Sequence, residues 1–283
     1  MLRHVSFVFA LSLMTACSAA DEGATTSATS DELVSCGWLM GGTCEKLPYG
    51  NWRSPQFWGE LYLNKYEAKL DYASTHIEAG PAPIQTPRTV LLITGVGIKK
   101  EFMVPIQKRL ERDGFDTALY EPANLLSGDL ENESKKLATV VDGILKQTGE
   151  TQIDILAECT GGVIARRYIQ GLGGDQKIGH MVTFVSPQHG LPIAPLVHAI
   201  VGWDALRDLS PGSKFMHSVN DVSLPQNVKF TSIYTCTDEY IQPYSTSVIP
   251  GATNINLCQG FIGHFQTMYD PSLYMVMHDA LVK

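Results

Sequence analysis

The chain has 283 residues, 44% of them hydrophobic and 18% charged, which is enough apolar material for a large core and argues against a disordered chain. Its formal net charge is −8, from 29 acidic and 21 basic residues, and no basic block occurs, which argues against nucleic acid as a partner. The length suits a single large α/β unit.

The N-terminus reads as an export signal. Arg3 supplies positive charge, and the apolar run from Val5 to Met14 is too short to span a bilayer as a mature helix. The run ends in Met14-Thr15-Ala16-Cys17, which resembles a bacterial lipobox, in which the cysteine is lipidated and becomes the new N-terminus. A signal peptide over 1–16, a lipid anchor on Cys17 and an exported, membrane-anchored lipoprotein are therefore expected. An ordinary cleaved signal with an incidental cysteine is the other reading. Residues 17–50 form a tether, rich in Ser and Thr from Ala19 to Glu32, with Cys36 and Cys44 spaced to close a small loop. The domain proper is expected over 51–283. It begins with an aromatic-rich, irregular helical stretch from Trp52 to Ile77 and an extended entry marked by Pro81, Pro83 and Pro87.

From there strand and helix alternate. Thr89–Thr94 is a continuous apolar run, as a strand buried on both faces requires. Lys100–Arg112 has helical spacing, with Phe102, Ile106 and Leu110 on one face. Thr117–Tyr120 reads as a strand, Ser134–Lys146 as a helix, and Ile153–Leu156 as a buried strand that runs directly into a helix over Gly161–Gln170. Strands follow at Met181–Val185, Phe230–Tyr234 and Thr253–Leu257, and Pro271–Val282 closes the chain with a helix. Such alternation predicts an α/β fold: a mostly parallel central sheet covered by helices on both faces. Leu191–Leu209 is either a lid over the site or a core helix. Cys236 and Cys258 end two strands expected to be neighbours and are candidates for a bridge, although connectivity stays open at this stage. Cys159 is left over.

The informative segment is Ile153-Asp154-Ile155-Leu156-Ala157-Glu158-Cys159-Thr160-Gly161-Gly162. A buried strand enters a tight turn and then a helix, as in a nucleophile elbow, where a strained turn lifts the nucleophile above the sheet. Small residues must flank it, and Ala157 and Gly161 do so, with cysteine at the nucleophile position. Leu91-Leu92-Ile93-Thr94-Gly95-Val96-Gly97 ends a strand in a Gly-rich loop, which makes the Val96 and Thr160 amides candidate oxyanion donors. Asp238 follows a strand end and His264 lies on the loop before the last helix. The order nucleophile, acid, histidine is the one this fold uses. Glu239 and Asp221 are rival acids, while His180 and His189 read as structural. No histidine spacing or carboxylate loop suggests zinc or calcium, and no metal or cofactor is expected.

Together with Gly161-Gly162-Val163-Ile164-Ala165-Arg166, Ser186-Pro187-Gln188-His189-Gly190 and Pro250-Gly251-Ala252-Thr253-Asn254, these segments resemble the secreted bacterial class 2 triacylglycerol lipases. More distantly they are similar to the fungal lipase B type. The similarity runs from about Thr89 to the C-terminus. It implies the α/β-hydrolase fold and assigns the triad to Cys159, Asp238 and His264, where relatives carry serine at the first position and commonly histidine at the place of Glu158. A helix N-terminus and an imidazole both favour a Cys159 thiolate, while Glu158 opposes it. The expected function is hydrolysis of carboxylic esters, most simply acyl lipids, by a monomer through an acyl-thioester. Acyl transfer from the same thioester, or a non-catalytic lipid-binding scaffold, are the alternatives.

Overall fold

The computed structural model describes the backbone of Leu33–Ser35 and Thr43–Glu45, together with Leu70 and residues 72–283. The first two segments are strands β1 and β2, paired antiparallel with Val34 opposite Cys44. The signal segment, Cys17, most of the tether and the proposed Cys36–Cys44 bridge lie outside the described residues.

The main sheet has six strands: β3 (Thr89–Ile93), β4 (Asp116–Tyr120), β5 (Ile153–Glu158), β6 (Ile178–Phe184), β7 (Lys229–Tyr234) and β8 (Thr253–Asn256). Their order across the sheet is β4-β3-β5-β6-β7-β8, and every neighbouring pair is parallel. All residues of β3 and β5 are buried, as the apolar run of β3 predicts, while β5 also buries Asp154 and Glu158. The central position of β5 places its C-terminal end, and so Cys159, at the middle of the sheet's upper edge. In open α/β sheets ligands bind outside such carboxyl ends.

Helices cover both faces. On one side α1 (Val104–Arg112) and the C-terminal α7 (Pro271–Val282) bury Ile106, Leu110, Tyr274, Met277 and Leu281 against Val90, Leu92, Leu156 and Val182. On the other, α2 (Leu130–Thr148) and α3 (Thr160–Gly171) bury Leu137, Val141, Val163 and Ile164 against Leu91, Ile93 and Ile155. Successive residues of a strand point to opposite faces, so each central strand feeds both layers.

The helix ends differ from the sequence expectation for local reasons. Pro105 falls in the first turn of α1, where its missing N–H is not needed, so the α-helix begins at Val104 and Lys100–Met103 forms a tighter 3₁₀ turn. Helix α2 starts four residues before the expected Ser134 because the Asp129 carboxylate accepts from Asn132 N–H at 2.8 Å, and Glu131 and Glu133 lie in its first turn. Between β6 and β7 run three short helices: α4 (Ala194–Val201), α5 (Asp204–Asp208) and α6 (Lys214–Asn220).

The Leu191–Leu209 excursion is pinned at its base by Leu191 N–H donating to Leu209 O at 2.8 Å. Helix α4 turns Ala194 and Val197 inward and leaves Leu196 and Ile200 61% and 59% exposed. It is therefore a cap element over the cavity described below and not a core helix.

Candidate active site

Cys159 stands between β5 and α3 with φ 49° and ψ −129°, a left-handed conformation that a residue with a side chain adopts only at a cost of about 1–3 kcal/mol. The surroundings hold it there. Its N–H donates to Phe184 O at 3.1 Å, and its carbonyl accepts from Gly162 N–H at 3.0 Å and from the Ser186 hydroxyl at 2.5 Å. Gln188 Nε2 in turn donates to the Ser186 hydroxyl at 2.8 Å. The Ser186-Pro187-Gln188 segment is thus the brace behind the elbow, a role that its sequence alone did not announce.

The small residues around the turn are dictated by packing. A Cβ on Gly161 would meet Thr94 O at 2.6 Å and Ile93 O at 3.0 Å, and neither backbone atom can step aside. Gly161→Ala is therefore expected to push α3 off β3 and destabilise the fold by about 1–3 kcal/mol, which a urea titration reads as a lower midpoint. A midpoint equal to that of the parent protein would mean that the elbow packs more loosely than described. A Cβ on Gly95 would lie 2.5 Å from the Cys159 Cβ, so the loop after β3 also needs its glycine.

Asp238 and His264 arrive from the loops after β7 and β8. Asp238 is buried, and its Oδ1 accepts from the N–H groups of Tyr240 and Ile241, both at 2.8 Å. Its Oδ2 lies 2.8 Å from His264 Nδ1. The disulfide between Cys236 and Cys258 ties these two loops together, in agreement with the pairing considered from sequence. Glu239, a rival acid, does not reach the imidazole. Its carboxyl oxygens accept from the His264 backbone N–H at 3.1 and 3.0 Å. Asp221, the other rival, is exposed and pairs with His217 at 3.0 Å. His189 Nε2 lies 2.9 Å from Val248 O, and His180 Nδ1 lies 3.1 Å from Asp154 at the opposite end of the sheet, so both are structural.

Burial, with Asp238 beside it, raises the pKa of Glu239 to about 8 and keeps it neutral near pH 7. An amide should therefore replace it with little loss, whereas alanine releases the N–H that holds the histidine loop. Glu239→Gln is expected to keep kcat within about threefold and Glu239→Ala to lower it by up to about tenfold, the worth of one hydrogen bond. Equal losses in both variants would show that charge, not the hydrogen bond, is what matters.

The remaining neighbour is Glu158. It is fully buried, its Oε2 accepts from Gly95 N–H at 2.7 Å, and its Oε1 lies 2.8 Å from His264 Nε2. That contact is close without being a well-directed hydrogen bond, since Oε1 lacks a partner in hydrogen-bond geometry. Histidine is thus flanked by a carboxylate on each ring nitrogen. Burial alone would lower the His264 pKa, but the charge and hydrogen bond of Asp238, helped by Cys159 and Glu158, raise it well above the ordinary value. The Cys159 thiol is pushed up, first by burial and then by the Glu158 charge, with His264 and Thr160 opposing. Of the influences weighed from sequence, the Glu158 charge outweighs the imidazole, and burial, which that reading did not weigh, adds to it, so the thiol gives up its proton less readily than a free cysteine.

Cys159 and His264 lie in a cavity of about 470 Å³, where Val96, Gly97 and Thr160 line the wall beside the thiol. The Val96 and Thr160 N–H groups have no acceptor among the described residues, as oxyanion donors require. The rest of the lining is largely apolar, including Phe102, Leu191, Val197, Trp203 and Leu206. Tyr240 also lines it and sits edge-on to the His264 ring at 5.2 Å between centroids. Nothing in its local sequence marked it.

Residues 131–270, which contain Cys159, Asp238 and His264, match the family model described as Lipase (class 2). Among solved structures, lipase B of Aspergillus fumigatus is similar with a TM-score of 0.62 and 17% identity, covering 74% of this chain and 56% of that one. The present chain thus corresponds to little more than half of that lipase. A Bacillus licheniformis lipase in its mature form gives a TM-score of 0.57 and 16% identity, covering 71% of this chain and 96% of that one. A metagenomic carboxyl esterase gives 0.53 and 13%, covering 64% and 66%. The fold is a class 2 lipase-like α/β-hydrolase fold.

Proposed function

We propose that this lipase-like α/β-hydrolase cleaves carboxylic esters, acyl lipids foremost, through a Cys159-His264-Asp238 triad and an acyl-thioester. The observation that carries the reading is a free thiol on a strained elbow, beside an imidazole whose far nitrogen is held at 2.8 Å by a buried carboxylate. Attack of Sγ on the ester carbonyl moves the thiol proton to His264 Nε2, and the Val96 and Thr160 amides take the oxyanion. The basicity that Asp238 and Glu158 lend to His264 favours this transfer once the ring is neutral, so turnover is expected to rise with pH as His264 gives up its resting proton. His264 then protonates the departing alcohol, and water, deprotonated by the same nitrogen, releases the acid.

The largely apolar cavity supports an acyl chain as the part that is bound, with Lys99, Asn124 and Ser127 among the polar side chains of its wall away from the Glu158-to-Thr160 turn in sequence. Exposed Leu196 and Ile200 on the cap, with Ile193 at 48%, suit contact with an apolar substrate surface. The disulfide fits an exported protein, and a lipid anchor on Cys17 would keep it at a membrane surface. The test is release of chromophore from p-nitrophenyl acyl esters, with and without an added alcohol. Turnover without the alcohol is the expected result. Turnover that depends on the alcohol would assign acyl transfer instead, and no turnover in either arm would leave a binding scaffold.

A further inference from the structure

Three donors of different chemistry converge at the crest of the elbow. One ligand atom each from Glu158, Cys159 and His264 lies within 4.8 Å of the others, and all three residues are buried. We propose that Glu158, Cys159 and His264 form a binding site for a divalent transition metal, zinc in the first place, whose occupation withholds the thiol from ester attack.

Four features support this. The first is the donor set. A thiolate, an imidazole and a carboxylate are the groups that zinc takes, and three protein ligands with an open fourth position is a common arrangement. Glu158, Cys159 and His264 all line the cavity of about 470 Å³, which leaves room for water as a fourth ligand.

The second is outer support. Zinc-bound histidine almost always gives its other nitrogen to a carboxylate or carbonyl, and ligating carboxylates are themselves hydrogen-bonded. His264 Nδ1 is 2.8 Å from Asp238, and the Glu158 oxygen that faces away from the cluster accepts from Gly95 N–H at 2.7 Å.

The third is an unsatisfied atom. Glu158 Oε1 is fully buried and has no hydrogen bond of proper geometry, although buried polar oxygens normally find a partner. It lies 2.8 Å from His264 Nε2, and the ligand atoms of the three residues are all within 4.8 Å of one another.

The fourth is charge. A Cys159 thiolate and a Glu158 carboxylate with a neutral imidazole carry two negative charges, which a divalent ion cancels in a buried place. Ligand atoms around a tetrahedral zinc stand about 3.3–3.7 Å apart, given bond lengths near 2.0–2.3 Å. The Nε2–Oε1 pair at 2.8 Å must therefore open slightly and the thiol close in, which small side-chain torsions achieve. Binding breaks the S–H bond and, where His264 is protonated, its Nε2–H bond too, and sends those protons to solvent, with no change of oxidation state.

Neither the ligand spacing in the sequence nor the ester chemistry points to this site, and its test does not depend on turnover. The full chain, oxidised at Cys236–Cys258 and freed of metal, is titrated with Co²⁺. The expected result is one saturable equivalent with a thiolate-to-cobalt charge-transfer band in the near-ultraviolet, erased when Zn²⁺ displaces the cobalt. Cys159→Ala should lose the band, and Glu158→Gln should weaken binding at least tenfold. Asp238→Asn, acting through His264, should weaken it by about 10–100-fold. Far-ultraviolet circular dichroism of each variant verifies folding, and Cys159→Ser offers a second probe should the alanine variant misfold, with the same loss of band expected. The absence of a saturable band overturns the proposal. So does a band that survives in the folded Cys159 variant, which would place the metal on other cysteines, or unchanged affinity in Glu158→Gln. Loss of ester turnover on Zn²⁺ addition without the band in the cobalt arm counts against it too, since inhibition would then arise elsewhere.

Discussion

Cys159→Ala is expected to lower kcat for any ester the protein turns over by at least about 10³-fold, because the remaining oxyanion donors and cavity stabilise the transition state without a nucleophile. The fold should survive the change. The thiol is 7% exposed and faces the cavity, so deleting one sulfur leaves no void deep in the core. Cys159→Ser separates nucleophile chemistry from position. The hydroxyl is a weaker acid than the thiol and depends more on a free Nε2, which here already has Glu158 Oε1 at 2.8 Å. The serine variant should therefore retain measurable hydrolysis of activated esters, at least about tenfold above alanine, below the parent protein. The intermediates also differ. Acid-quenched parent protein should carry one acyl group that neutral hydroxylamine removes, as thioesters allow, whereas the serine variant should carry an oxyester that resists it. Full activity in Cys159→Ala would remove the triad mechanism outright, whatever the fold.

How much of this site could be read in the sequence depends on how local each signal is. The strands at Thr89–Ile93 and Ile153–Glu158 were legible because a strand buried on both faces is largely apolar, as Val90–Ile93 and Ile155–Ala157 are, and each runs into a glycine-containing turn. Asp238 and His264 were legible because the fold fixes the order of the triad along the chain and the loops on which its members sit. The helices Asp204–Asp208 and Lys214–Asn220 were not foreseen, since fewer than two turns give no periodicity to detect. The role of Leu191–Leu209 was ambiguous because an apolar helix reads alike whether its outer face meets core or solvent. Glu158 was seen as a charge that opposes a thiolate, but its contact with His264 depends on a loop far along the chain reaching back over β5. No pattern of adjacent residues encodes that distance. The Ser186 and Gln188 brace is similar: two ordinary polar residues acquire a function only because β6 lies beside β5.

Asp238→Asn carries the second large effect, and it tests the acid assignment against Glu239. Asp238 Oδ2 accepts from His264 Nδ1–H, which leaves Nε2, the nitrogen 2.8 Å from Glu158 Oε1, as the one that takes the thiol proton, and its other oxygen is fixed by the Tyr240 and Ile241 N–H groups. An asparagine held by those two donors keeps its carbonyl oxygen on them and turns its NH₂ towards Nδ1. The ring must then accept at Nδ1 and carry its proton on Nε2, facing Glu158 and Cys159. Glu158 makes that wrong tautomer comfortable, because its Oε1 lies 2.8 Å from the nitrogen that would bear the proton. A loss of about 10³–10⁴-fold in kcat is expected, the scale at which a misplaced tautomer disables such triads. KM should change little, since neither Asp238 nor Nδ1 faces the acyl cavity. Combining the variant with Glu158→Gln sharpens the test, because an amide at 158 no longer stabilises the proton on Nε2 by charge. The double variant should regain part of the loss, giving strong non-additivity between two residues that meet only through the histidine. If Asp238→Asn instead loses less than tenfold while Glu239→Gln collapses turnover, the carboxylate that matters is the one on the His264 backbone, and the imidazole is oriented by its loop and not by its hydrogen bond.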